Sequence, residues 1–406
     1  MTVTTASTGK TNTLHPVADA LAKIEREMSV FFKERKSCIQ AVTLALLVAE
    51  HMVMIGPPGT GKSMMIRDYF GRFPDADYFE ALLSKNLPAD AVLGPYDIPD
   101  LRDHGNLSRK YAGYLPTAKV AMLDEIGKMS ATLGHNLLAV MNERLLHQVD
   151  ANGRSTIPLP LSTLASGTNE LLTSDSDDAA ATWDRLLIRV PVEYIQEPGN
   201  FAALLTGPKK PARGTEIPWT DMQDVIDNVV PYIDIPSDVM TIVVSLRARL
   251  KLKEITASDR RWSQSMKVLQ ASAFMAGRSE VTVDDIETLR FTLWDLPSQL
   301  PEVARATLGV SNPTAEKAVA IQEQAEEIAE QMSNATGLSV EKKGLLSSEL
   351  SGKLNAQVQS IARLRQEALA AGASVTKIDE VGARLQNIKA AIYTDLLGLD
   401  LPSLTP

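Results

Sequence analysis

Met52-Val53-Met54-Ile55-Gly56-Pro57-Pro58-Gly59-Thr60-Gly61-Lys62-Ser63 is the stretch that decides the fold. The apolar run Met52–Ile55 predicts a buried parallel strand. Gly56, Pro57, Pro58, Gly59, Thr60, Gly61, Lys62 and Ser63 then match the phosphate-binding loop pattern G-x-x-x-x-G-K-[ST] without a break. Met64 to Phe70 can form the helix that must follow. The glycines let the backbone curl so that several N–H groups face an anion, and the helix start adds the positive end of its dipole. Lys62 can reach the β- and γ-phosphates of a nucleotide, and the Ser63 hydroxyl can ligate Mg²⁺.

Upstream, two helices are expected, over Val17–Phe32 and Lys36–His51, the second feeding Ile39, Val42, Leu46 and Val48 into a core. Downstream, Asp77–Leu82 is expected as a second strand. Residues 84–118, rich in Pro, Gly and charge, have little helical period and read as a functional or inserted stretch. Lys119–Leu123 predicts a third strand ending in Asp124-Glu125, a Walker B pattern. A strand end is where open α/β sheets gather ligands. There Asp124 can hold Mg²⁺ and Glu125 can polarise an attacking water. An apolar run before Asp-Glu is weak alone and gains weight about sixty residues after a phosphate loop.

A helix over Ser130–Glu143, a β-hairpin over Leu145–Leu159 turning at Asp150–Gly153, and strands over Leu161–Gly167 and Leu186–Val192 complete an α/β pattern with a parallel five-stranded sheet. The expected organisation is a disordered tail over 1–14, a nucleotide-binding domain over 15–205, a basic linker over 206–218, a helical domain over 219–300 and a three-helix extension over 301–406. The helical domain is expected to hold helices near Thr220–Val229, Ser237–Leu250, Asp259–Met275 and Val283–Phe291, with Ser258 and Thr282 as N-caps. In the extension, apolar residues recur three and four apart at Ala318, Ile321, Ala325, Ile328 and Met332, at Leu354, Val358, Ile361 and Leu364, and at Ile378, Val381, Leu385, Ile388 and Ile392. Three antiparallel helices would bury these stripes, and an exposed partner-binding face is the alternative.

The 406 residues are 44% hydrophobic and 22% charged, as in globular proteins, and carry a net charge of -9. That balance argues against a nucleic-acid coat or a polybasic membrane binder. Lys209-Lys210 and Lys251-Leu252-Lys253 read as solvated faces. The single cysteine, Cys38, excludes an intrachain disulfide and a multi-cysteine zinc site, and its apolar surroundings predict a buried thiol. With no run of eighteen apolar residues and no apolar signal core, the expected location is the cytosol.

The order of these elements resembles the AAA+ ATPases, within them the MoxR family, and most closely its RavA-like branch. The residues that carry the resemblance are Gly56–Ser63, Gly113-Tyr114-Leu115-Pro116, Met122-Leu123-Asp124-Glu125-Ile126, Met141-Asn142-Glu143-Arg144, Ser166-Gly167-Thr168-Asn169-Glu170, Asp184-Arg185-Leu186-Leu187-Ile188-Arg189 and Ser258-Asp259-Arg260-Arg261-Trp262. The resemblance covers about residues 15–295. It implies that Asn169 is sensor 1, orienting the hydrolytic water beside Glu125. It implies that Arg185 is the arginine finger, acting on the ATP of a neighbouring subunit in a ring, typically a hexamer. Arg189 is a second interface candidate. Arg260 matches sensor 2, on the γ-phosphate, with Arg261 one residue away. Residues 84–118 would hold the helix-2 insert, where Tyr111 and Tyr114 could touch a client, and Leu145–Leu159 the hairpin before sensor 1.

By the same resemblance the implied function is an ATP-driven, chaperone-like remodeller of a protein partner or a metal-centre client, working with a von Willebrand A domain protein. RavA-like relatives interrupt their helical extension with a β-rich module; here it reads as wholly helical, which argues against a lysine-decarboxylase-type partner. A nucleotide-gated assembly scaffold and a chelatase-like motor subunit remain as alternatives.

Overall fold

The computed structural model describes residues 14–105, 107–150, 153–169, 171, 177–207, 214–333 and 340–391. The expected tail apart from Leu14, the tip of the hairpin turn, Glu170, the centre of the linker, the break at 334–337 and Ile392 lie outside them. Two compact units are present, Met1–Leu300 and Pro301–Pro406.

In the first unit, α1 (Pro16–Phe31) and α2 (Lys36–Leu47) precede β1 (His51–Ile55) and α3 (Lys62–Phe70). Then come β2 (Tyr78–Leu82), the short helices α4 (Asp90–Leu93) and α5 (Ile98–His104), β3 (Val120–Asp124) and α6 (Ala131–Glu143). The hairpin β4 (Leu145–Asp150) and β5 (Gly153–Pro158) follows, then β6 (Thr163–Thr168), α7 (Asp177–Arg185), β7 (Leu186–Pro191) and α8 (Pro198–Thr206). The helical part adds α9 (Trp219–Asn228), α10 (Ser237–Leu252) and α11 (Asp259–Met275). The five-stranded sheet is parallel, in the order β2-β3-β6-β1-β7, and β4 pairs only with β5, antiparallel. All five residues of β1 and all six of β6 are buried, as expected for strands covered on both faces. Register brings Ile55 beside Thr168 and Asp124 beside Gly167, so the C-terminal ends of β1, β3 and β6 meet at one edge.

Four expectations need correction. Helix α2 stops at Leu47 because the chain turns through Ala49, at φ 51°, to enter β1. The insert holds α4 and α5, too short to show a period. Residues 198–206, where no helix was expected, form α8, which reaches the first residue of the expected linker, although none of its residues is buried. Val283–Phe291 is a 3₁₀ helix, started by the expected Thr282 in a capping box with Asp285. Ser258 caps α11 by accepting the Arg261 N–H at 3.1 Å. Cys38 is buried, and burial pushes its thiol up to about 11.

The second unit contains α12 (Leu300–Ser311), α13 (Pro313–Ser333), α14 (Val340–Ala370) and α15 (Thr376–Ala391), one helix more than expected. Asn312 accepts the Ala315 N–H at 3.0 Å and donates to the Ser374 carbonyl at 2.8 Å. The start of α13 therefore meets the far end of α14, and the two run antiparallel. The core takes Ala318, Ala325 and Ile328 from α13, Leu354, Ile361 and Leu364 from α14, and Ile378, Val381, Leu385 and Ile388 from α15. Ile321 and Val358 are partly buried against it. These positions are core, not an open face.

At the opposite edge of the sheet, His51 is fully buried. Its Nδ1 accepts the Leu164 N–H at 3.0 Å and its Nε2 lies 3.0 Å from the Met141 carbonyl. Arg144, at φ 56°, ties this edge together by donating to the carbonyls of Met141, Ala49 and Ser162. Burial, reinforced by the Arg144 charge, holds the His51 pKa well below 6.5. A depressed histidine pKa gives stability that is complete above the unfolded value and lost as pH falls below it. Between pH 7.5 and 5.5 this site is expected to remove about 1.4 kcal/mol, the loss when one group with an unfolded pKa near 6.5 cannot protonate in the fold. Urea unfolding of the wild type and His51→Asn at both pH values checks this; the variant should lack that part of the pH dependence.

Candidate active site

The loop after β1 is held in its curl from several sides. The Gly56 N–H donates to the Thr168 carbonyl at 3.0 Å, and a Cβ on Gly56 would lie 1.9 Å from the Val192 carbonyl oxygen, so no side chain fits there. Gly59 and Gly61 have φ of 79° and 82°, the left-handed region in which L side chains are strained. Thr60 Oγ1 donates to the Pro57 carbonyl at 3.0 Å. Tyr194 Oη reaches the Pro58 carbonyl at 3.4 Å from the chain beyond β7.

Lys62 is buried. Its Nζ donates to the carbonyls of Gly56 at 2.7 Å and Pro57 at 3.0 Å and to Asn169 Oδ1 at 3.0 Å. Burial pushes its pKa down, while Asp124 and Glu125 oppose the shift. Ser63 Oγ donates to Asp124 Oδ2 at 2.6 Å. Asn169 Nδ2 donates to Glu125 Oε1 at 2.8 Å. Glu125 has φ 56°, unusual for a residue with a side chain, and its N–H donates to the Gly167 carbonyl at 2.7 Å. The structure thus joins Gly56–Ser63, Asp124, Glu125 and Asn169 at the C-terminal edge of the sheet.

The donor set fits a polyphosphate with a hard cation. A cationic amine and curled backbone face the place where β1 ends. Two oxygens, Ser63 Oγ and Asp124 Oδ2, stand together, and oxygen is what Mg²⁺ takes. Glu125 Oε2 is buried and accepts no hydrogen bond. Among the described residues there is no cluster of three or more His, Cys, Asp or Glu that would make a separate metal site.

The arginines lie elsewhere. Arg185 ends α7, immediately before β7 begins, and donates to the Ala181 carbonyl at 2.7 Å. Burial and the charge of Arg260 lower its pKa, against Asp184 and Glu143. Arg260 lines a cleft of about 590 Å³ with Ala49, Glu50, Lys119 and Ser162, residues at the starts of β1, β3 and β6. Both guanidiniums therefore stand at the N-terminal edge, a strand's length of roughly 16 Å at about 3.3 Å per residue from the phosphate loop. Arg261 is spent inside the chain, donating to the carbonyls of Thr292 at 3.1 Å and Asp184 at 3.2 Å. Arg189 corrects an expectation. It is fully buried, stacked 4.2 Å over Trp183 and paired with Asp295 at 2.7 Å, so it fastens β7 to the helical part and offers nothing to an interface.

Two residues at the site escaped the sequence reading. Lys128 Nζ is 3.3 Å from Glu125 Oε2; only its spacing of three from Glu125 hinted at this. Gly167 is the other. A Cβ there would lie 2.5 Å from Asp124 Oδ1 and 3.5 Å from Lys62 Cε, so the site closes only around a bare α-carbon. The small residue in the Ser166-Gly167-Thr168 strand was the available signal.

A phosphate loop after β1, between β6 and β7 in a parallel sheet, an Asp-Glu pair on β3, a polar residue at the end of β6 and a helical domain beyond β7 define an AAA+ P-loop fold. Comparison with known proteins narrows this. Residues 19–225 match the family described as "MoxR domain in the MoxR-vWA-beta-propeller ternary systems", and residues 238–306 match the AAA lid domain. An uncharacterized protein of Methanocaldococcus jannaschii is 31% identical over 305 residues, spanning 73% of this chain and 76% of its own. A second from that organism is 28% identical over 383 residues, spanning 93% of this chain and 100% of its own. The crystal structure of a presumed ATPase from Cytophaga hutchinsonii superposes with a TM-score of 0.55 at 16% identity, over 72% of this chain and 94% of that one, which speaks to the fold alone. The chain belongs to the MoxR family of AAA+ proteins.

Gly167→Ala should displace the Asp124 carboxylate while leaving the fold intact. A shift of about 1 Å in a positioned group can cost on the order of a hundredfold. Binding of a fluorescent ATP analogue is therefore expected to lose most of its Mg²⁺ dependence in this variant, with an unchanged circular dichroism spectrum.

Proposed function

We propose that this protein is a Mg²⁺-dependent ATP hydrolase that works as a ring, typically of six, with each active site shared between neighbours. The observation that carries the reading is the separation of Lys62, Asp124, Glu125 and Asn169 from Arg185 and Arg260, at opposite edges of one sheet. One chain holds two halves of a phosphoryl-transfer site that its own fold keeps apart. A ring brings the arginine edge of one subunit to the loop edge of the next. In that setting Arg260 serves the neighbour's nucleotide together with Arg185.

In this reading Lys62 leaves the carbonyls of Gly56 and Pro57 for the β- and γ-phosphates. Ser63 and Asp124 would hold Mg²⁺, which when bound would supply neutralisation of charge on the phosphates. Glu125 accepts the proton of the attacking water, which Asn169 orients. Arg185 from the adjoining subunit spreads positive charge over the transferred group, so hydrolysis depends on assembly. The exposed Phe201, Leu204 and Leu205 of α8, close after Tyr194 and the loop edge, give an apolar surface suited to a subunit contact.

The output is remodelling of a protein partner or a metal-centre client in the cytosol. The family description favours a von Willebrand A domain protein as partner. The RavA-like affiliation rests on the motif series alone. Among the described residues the extension is built of the helices α12 to α15 joined by short turns, and the reading does not include a decarboxylase-type partner. A cleft of about 730 Å³ between the insert and the hairpin, lined by Leu93, Tyr96, Arg109, Leu146 and His147, is the candidate client surface. Tyr111 and Tyr114 lie outside its lining. No helix among the described residues is long and apolar enough to cross a membrane.

ATP turnover per subunit is expected to rise with protein concentration. Glu125→Gln should abolish turnover while still binding ATP and assembling, and Arg185→Ala should lose on the order of 10³-fold. Turnover independent of concentration with a silent Arg185→Ala would exclude the shared site. Assembly on ATP by a wild type that never hydrolyses it would favour the nucleotide-gated scaffold.

A further inference from the structure

We propose that Lys128 is a positioning residue for Glu125, fixing the second oxygen of the carboxylate that acts as general base. The inference rests on the ATP-hydrolase reading above. Its origin is local. Glu125 opens a single 3₁₀ turn, Ile126–Lys128, and the Lys128 N–H donates to the Glu125 carbonyl at 2.8 Å. A 3₁₀ turn has three residues per revolution, so residues three apart eclipse one another. Lys128 is thereby carried back over Glu125, and its Nζ stands 3.3 Å from Oε2.

An exposed pair of this spacing would contribute little. This pair differs on the carboxylate side. The Glu125 side chain is only 16% exposed, against 45% for Lys128, and Oε2 is buried without a hydrogen bond. Oε1 is already held by Asn169. The hold from Asn169 depends in turn on Lys62, which donates to its Oδ1 at 3.0 Å. When Lys62 turns to the phosphates, Asn169 loses that anchor, and the amide is left to hold both base and water. The Lys128 contact does not pass through the loop at all. It keeps the carboxylate oriented in both states, from a turn whose backbone is fixed by the positive φ of Glu125.

The test is steady-state ATP hydrolysis at a protein concentration where turnover per subunit has levelled off, for wild type, Lys128→Met, Lys128→Arg and Glu125→Gln. Methionine keeps the length of the side chain and removes the charge, at a half-exposed position where folding is not at stake. Lys128→Met is expected to lower kcat about tenfold, as misorientation of a base does, with KM for ATP within about twofold. Lys128→Arg should return kcat to within about threefold of wild type. A Lys128→Met enzyme with kcat within twofold of wild type overturns the proposal, as does a loss that falls on KM or that arginine does not restore. Those failures are distinct from failure of the underlying reading, which would show as a Glu125→Gln variant that still turns over ATP.

Discussion

The Asp124 carboxylate lies against the α-carbon of Gly167, and the rest of the site depends on that closeness. β3 and β6 are neighbours in the sheet, so the residues at their ends are fixed by register. With a side chain at 167, Asp124 would be pushed from Ser63, and the Lys62 stem would lose its path to Asn169. The bare α-carbon leaves room for the Asp124 carboxylate to accept from Ser63 and for the Lys62 ammonium to donate to the Asn169 amide at one buried edge. Backbone does the same on the other flank, where the Val192 carbonyl stands in the place of any side chain on Gly56. Two strand neighbours of β1 therefore define the shape of the loop before any ligand is considered.

Charge at the two edges follows the same economy. At the loop edge, Lys62 is surrounded by carbonyls and carboxylates. At the other, Arg144 and Arg260 act on His51, whose pKa burial holds down, and Arg185 feels the charge of Arg260. With the length of a strand between them, the two sets cannot meet within one chain. The buried arginines Arg189 and Arg261 have a different task. They bond to main-chain carbonyls around Trp183, Thr292 and Trp294 and join β7 to the helical part, which holds the arginine edge as a firm surface.

Much of this was legible from the residues. The loop pattern and Asp124-Glu125 could be read because each motif is contiguous and sits at a strand end, where the chemistry needs it. The stripes in α13 to α15 could be read because a helix repeats its buried face at a fixed period. What was not legible depends on neighbours distant in sequence. Arg189 and Arg185 look alike as sequence, one inside β7 and one just before it; only packing against Trp183 and Asp295 shows that the first is internal. Arg260 and Arg261 differ by one residue, and helix rotation alone decides that one turns inward. Gly167 and Lys128 escaped because their importance lies in a contact across strands and in a 3₁₀ turn, neither of which has a period. α4, α5 and α8 escaped because short or uncovered helices leave no stripe.

The Lys62 amine already has three oxygen partners, two from the loop itself and one from Asn169. An arriving anion must therefore exchange with existing bonds, and its binding energy is a difference between two sets of contacts. An isolated phosphate offers few oxygens beyond those the curled backbone can use. A longer chain of phosphates presents further oxygens to the amine as it swings out. Self-ligation of the lysine would thus act as a threshold, raising the bar for small anions such as free phosphate and favouring ligands long enough to clear it.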